Sequence, residues 1–202
     1  MREMNRAFGI LVAVACVAVA CVALAAPTTA APFKGGVLSP TRAAPEIALP
    51  AQDGREYRLS RDRGKVVAVW FGYTFCPDVC PTTLSELTLV RKQLGADGRR
   101  FSIVFVTVDP ARDTPARLRE YTGAFGGDIV ALSGTPERLA EVRKAYGVVA
   151  EKRAVAGTSA SYLIDHSAFV YVVDPAGQLR VMFPFGLSVD DMVHDVKLLL
   201  TQ

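Results

Sequence analysis

Val66 to Tyr73 is an unbroken apolar run between Lys65 and Thr74. A run of strand length without polar alternation belongs to a strand covered on both faces. Such a strand needs strands beside it and helices above and below, and the flanking patterns supply both. Ile47–Leu49 and Glu56–Leu59 flank Asp53-Gly54, a β-hairpin signal. Leu84, Leu87, Val90 and Leu94 recur at helical spacing, with Gly95 placed for a C-terminal cap. Phe101–Val108 reads as a second buried strand. Thr114-Pro115 and Thr135-Pro136 each set a capping hydroxyl before a first-turn proline, and Gly147 ends the second of these helices. Ala168–Val173 and Leu179–Phe183 bracket Asp174–Gln178 as another hairpin, and Ser188 opens a last amphipathic helix.

Right-handed crossovers make the two buried strands parallel neighbours. The later hairpin completes a central mixed sheet with helices on both sides. This α/β order, with an N-terminal β-hairpin, is the thioredoxin-like fold. Composition agrees with one such domain, because the 202 residues are half hydrophobic and carry a formal net charge of +3. A disordered chain is excluded, and 23 Lys and Arg interleaved with 20 Asp and Glu form no block that would hold nucleic acid.

The ends of the chain are organised differently. Residues 7–26 carry no charge, Arg2 and Arg6 precede them, and Pro27 follows. Ala23-Leu24-Ala25 resembles a signal-peptide cleavage site, yet the run also reaches the ~20 residues that span a bilayer. Lipidation of Cys16 or Cys21 is a third reading, although Ala13 and Ala18 stand where a bacterial lipobox has Leu. Under each reading the rest of the chain is exported. Residues 1–26 are therefore expected to be a signal or membrane anchor. Residues 27–45, with four prolines, are expected to be a tether, and residues 46–202 the folded domain.

Beyond the leader, Cys76 and Cys80 are the only cysteines. A bridge between residues four apart closes too small a loop to add much stability, so the pair points to chemistry. It sits where the buried strand gives way to a helix, whose free N–H groups and dipole favour a thiolate. On a helical turn, residues four apart have Cβ atoms ~5–6 Å apart, whereas a disulfide needs ~3.5–4.5 Å. That spacing fits a metal site or a reversible redox pair better than a rigid bridge. Two thiolates select Cu(I) or Zn(II), and an added imidazole also accommodates Cu(II). The chain has two histidines. His194 lies among acidic residues on the last helix and reads as part of a solvated face. His166 precedes the strand Ala168–Val173, which neighbours Val66–Tyr73, so its loop falls at the sheet edge that carries the cysteines.

Gly72-Tyr-Thr-Phe-Cys-Pro-Asp-Val-Cys-Pro-Thr-Thr-Leu84, Val108-Asp-Pro-Ala-Arg-Asp-Thr-Pro115 and Asp165-His-Ser167 resemble the three signatures of the Sco/SenC family. The resemblance covers roughly the whole region from Glu46 to Leu200. It implies an exported, usually membrane-tethered copper protein of cytochrome c oxidase assembly, here on the periplasmic face of a bacterial inner membrane. It implies copper ligation by Cys76, Cys80 and His166. Asp109 matches an acidic position held near the copper, and equally reads as a turn acceptor ahead of Pro110. Asp78, between the cysteines, is a further candidate neighbour of the metal. The implied partner is cytochrome c oxidase subunit II or another copper enzyme, with an upstream copper chaperone or thiol reductase.

The competing reading is a thiol–disulfide oxidoreductase in which Cys76 and Cys80 are catalytic. Thioredoxin-like oxidoreductases typically pair C-x-x-C with a facing cis-proline, whereas this chain has C-x-x-x-C and reads Asp165-His166-Ser167 at the facing segment. A peroxiredoxin-like peroxidase ranks last, since no Pro-x-x-x-Thr-x-x-Cys pattern precedes Cys76.

Overall fold

The computed structural model describes residues 32–126, 128–155 and 162–202. The expected signal or anchor at residues 1–26, with Cys16 and Cys21, lies outside them. Among the described residues no helix is long and apolar enough to cross a membrane.

Among the described residues ten strands and four α-helices follow one another: β1 (Gly36–Ala43), β2 (Ala48–Pro50), β3 (Glu56–Arg58), β4 (Val66–Gly72), α1 (Val79–Gln93), β5 (Phe101–Thr107), α2 (Pro115–Gly123), β6 (Ile129–Leu132), α3 (Pro136–Tyr146), β7 (Ala150–Ala154), β8 (Tyr162–His166), β9 (Phe169–Val173), β10 (Gln178–Pro184) and α4 (Val189–Leu200). Six strands form one mixed sheet in the order β1-β10-β9-β4-β5-β6. β4 is buried at every residue because it pairs on both edges and is covered on both faces. It runs parallel to β5, with Val66 opposite Phe101 and Gly72 opposite Thr107, and antiparallel to β9, with Trp70 opposite Val170.

Period-2 alternation divides β4 between two layers. Phe71 turns to Tyr146 of α3 and to Tyr171, at ring-centroid separations of 5.4 and 5.8 Å. Trp70 and Gly72 turn to the opposite face, where Phe105 meets Tyr121 of α2 and α1 packs on α4. Burying each such Val, Leu or Phe stabilises the fold by roughly 1.5–3 kcal/mol. The helix starts follow the sequence signals: Thr114, Thr135 and Ser188 accept backbone N–H bonds from Arg117, Arg138 and Asp191. β2 and β3 form the expected N-terminal hairpin, and Gly147 caps α3 at φ +71°.

Two differences from the sequence expectations bear on function. The folded region begins before residue 46, because Gly36–Ala43 of the expected tether is an edge strand paired antiparallel with β10. Only one of its residues is even half-buried, so it carries no apolar alternation to read, and Pro40 is tolerated on an edge. His166 does not sit in a plain loop before β9. It ends β8, which pairs with β7 in a separate two-stranded ribbon, Ala150 lying opposite His166.

Candidate metal centre

The β4–α1 junction carries both thiols. α1 begins at Val79, so Cys76 lies in the turn before the helix and Cys80 in its first turn. This corrects the expectation that both share one helical turn. The chain folds back after β4, with Cys76 N–H donating to the Tyr73 carbonyl at 3.2 Å. The Cys76 sulfur then accepts the Cys80 N–H at 3.4 Å. Both cysteines are free thiols, Cys80 buried and Cys76 half-buried. His166 arrives from the β8 end, with Nε2 3.4 Å from the Cys80 sulfur. Its Nδ1 lies 3.1 Å from the Ser167 carbonyl. A carbonyl only accepts, which assigns the proton to Nδ1 and leaves Nε2 facing the sulfurs.

The two sulfurs and one imidazole nitrogen lie within 4.8 Å of one another. Among the described residues this is the one Cys, His, Asp and Glu cluster close enough to share an ion. It opens into a pocket of about 280 Å³ lined by Tyr73, Asp78, Val79, Ile164 and Ala168 beside Cys76 and His166. The Cys80 thiol donating to Cys76, aided by the Asp78 and Cys80 N–H groups, holds the Cys76 pKa at about 4 against the opposing effect of burial. The same contact with Cys76, together with burial, pushes Cys80 upward. The donor set is soft and fits a thiophilic ion.

The acidic candidates stand apart from this cluster. Asp78 is exposed on the pocket wall, its Oδ1 3.5 Å from the Thr82 hydroxyl. Asp109 is fully buried and accepts from Arg112 Nε and from the Tyr162 hydroxyl, the latter at 2.8 Å. Arg112 lies 3.7 Å over the Tyr162 ring and donates to the Tyr162 carbonyl at 3.0 Å. Tyr73 Oη accepts the Ile164 N–H at 3.2 Å. Asp109 therefore ties β8 to the loop after β5, while Tyr73 ties β8, and through it His166, to the segment that leads into the cysteine turn. Its main-chain carbonyl also accepts the Arg112 and Asp113 N–H groups, which is the turn role. His194 lies outside the cluster, with Nδ1 3.0 Å from Asp195 on its own helix.

Sequence reasoning passed over Asp113 and Trp70. Asp113 is fully buried and accepts from the Thr74 N–H, the Thr74 hydroxyl at 2.7 Å and the Thr107 hydroxyl at 2.6 Å. It thus anchors the residue two positions before Cys76. A carboxylate directly before the capping Thr114 reads as helix-start chemistry, so only the fold shows that Asp113 points to the cysteine turn. Trp70, beneath the site, was legible only as core.

The SCO1/SenC family model matches residues 38–201. A putative copper-binding protein of Stutzerimonas stutzeri is 34% identical over 152 residues, which is 75% of this chain and 74% of that protein. The structure of Bradyrhizobium japonicum ScoI with copper bound superposes with a TM-score of 0.70 at 33% identity, covering 78% of this chain and 99% of that one. Apo Sco1 of Thermus thermophilus superposes at 0.72 with 36% identity, over 82% of this chain and 96% of the other. With the thioredoxin-like sheet in place and the first and third motifs supplying one cluster, the chain belongs to the SCO1/SenC family.

Proposed function

We propose that this protein is an exported copper metallochaperone that carries one copper ion on Cys76, Cys80 and His166. The observation behind this reading is the convergence of those two sulfurs and one ring nitrogen within 4.8 Å. Thiolates are strong Cu(I) ligands, and the added imidazole also suits Cu(II). The hydrogen bonds that Cys76 receives favour its thiolate, and Nε2 faces the sulfurs because Nδ1 is bonded to Ser167. The half-buried Cys76 and the open pocket leave one side free for a receiving protein. The family resemblance implies the copper A centre of cytochrome c oxidase subunit II as recipient. It also implies a periplasmic location, with the leader in or released from the membrane.

The second reading is a thiol–disulfide oxidoreductase that keeps the recipient's cysteines reduced. The low value of Cys76 favours it, since a thiolate beside a protonated partner thiol is the arrangement of an attacking and a resolving cysteine. Anaerobic Cu(I) and Cu(II) titration of the reduced protein from Lys34 onward, against a competing chelator, separates the two. One tightly bound copper, lost in Cys76→Ala and weakened in His166→Ala, supports the chaperone. Failure to compete in either oxidation state overturns it and leaves the redox pair.

A further inference from the structure

Trp70 is the single tryptophan of the chain, and it is 1% exposed. It stands two residues before Gly72 on β4, so both face the layer that α1 covers. A β-carbon on Gly72 would lie 2.7 Å from Trp70 Nε1 and 2.7 Å from the Cys80 sulfur. The indole nitrogen and the sulfur are thus no more than twice that distance apart, facing each other across the space that glycine leaves open. The same ring stands edge-on to His166, with centroids 5.5 Å apart and planes at 75°. One side chain therefore adjoins two of the three candidate ligands. Its N–H is buried and has no partner within hydrogen-bond distance among the described residues. Buried N–H groups are almost always partnered, so an orphan aimed into a metal site asks for an acceptor.

We propose that Trp70 is a positioning residue of the metal centre, its indole N–H donating to the Cys80 sulfur when that sulfur binds copper. This rests on the copper reading above. A thiol sulfur is a weak acceptor, whereas a metal-bound thiolate carries charge and attracts the N–H. A hydrogen bond to a ligand sulfur draws electron density from it and favours the lower oxidation state of the ion. The edge contact also limits rotation of the His166 ring. Trp70 thereby biases the site toward Cu(I), the form in which two thiolates hold copper best.

The test uses the fact that one tryptophan gives one indole cross-peak in a 1H–15N spectrum. Anaerobic loading of the protein with Cu(I) is expected to move the indole proton downfield and slow its exchange with solvent. In a tryptophan auxotroph, benzothienylalanine replaces Trp70 alone, keeping the ring shape and removing the N–H. The Cu(I)-to-Cu(II) affinity ratio is then expected to fall about tenfold, equivalent to about 59 mV for a one-electron couple. Trp70→Phe should move the ratio the same way. An indole proton that does not shift on loading overturns the proposal even if the replacement protein fails to fold. An unchanged ratio in a copper-binding replacement protein overturns it too. Unmodified protein that takes up no copper overturns the metallochaperone reading and this inference with it, whereas binding with an unresponsive indole overturns this inference alone.

Discussion

The Cys76 sulfur accepts the backbone N–H of Cys80 at 3.4 Å, so the first thiol caps the helix that carries the second. The two sulfurs are consequently unequal. Cys76 receives hydrogen bonds and the positive end of the α1 dipole, while Cys80 is the buried donor. In the reduced, metal-free protein, iodoacetamide is expected to modify Cys76 first, as peptide mapping would show. Its rate should be flat at neutral pH and fall as acid passes through about 4. Cys80→Ala removes the main bond that favours the Cys76 thiolate, so the fall should move to higher pH.

Gly72 has no room for a side chain. An added β-carbon would stand 2.7 Å from the Cys80 sulfur and the Trp70 nitrogen, and 2.9 Å from Phe105. All three are walled in by the core, so the strain has no cheap outlet. Gly72→Ala is expected to cost about 1–3 kcal/mol in urea denaturation. It should also weaken copper binding, because the atom pushed aside includes the Cys80 sulfur. Full stability with normal copper affinity would show that the α1 start yields freely.

Asp113 is the hinge pin of the cysteine turn. Asp113→Ala leaves the Thr74 N–H and the Thr107 hydroxyl without their partner, a loss of about 3 kcal/mol. Asp113→Asn retains part of the network and separates charge from packing. Burial raises the Asp113 carboxyl, so the native state takes up its proton before the unfolded chain does. The stability of wild type relative to Asp113→Asn should therefore rise as pH falls through that raised value and level off below about 3.9. Denaturation of both proteins across the acid range reads the difference.

The central layer was legible because burial on both faces writes itself as the apolar run Val66–Tyr73, and capping writes itself as Thr-Pro. His166 could be placed beside the cysteines from strand adjacency alone, since β9 pairs with β4. Edge elements left no such trace. β1 is held by backbone bonds to β10, and Glu151, Lys152 and Arg153 of β7 are exposed, so neither strand alternates. Asp113, Trp70 and Asp195 were illegible for another reason. Each acts on residues 35 or more positions away or across a layer, and a local pattern contains no record of such a partner.

Asp195 makes the same point at the start of the folded region. It is fully buried on α4, yet its carboxylate accepts the Lys34 N–H at 2.9 Å and the Gly35 N–H at 2.8 Å. Gly35 fits there only because it lacks a side chain, as a β-carbon would meet Val181 at 2.7 Å and the Met182 carbonyl at 2.9 Å. A single carboxylate thus fixes where the chain enters β1 and the sheet edge. Asp195→Ala should cost roughly 2 kcal/mol, because Lys34 and Gly35 lie near enough to the surface for water to replace part of the loss. Hydrogen exchange should rise along Gly36–Ala43 and stay unchanged in β4 and β5. A uniform rise across the sheet would mean that Asp195 supports the whole core rather than the docking of its edge strand.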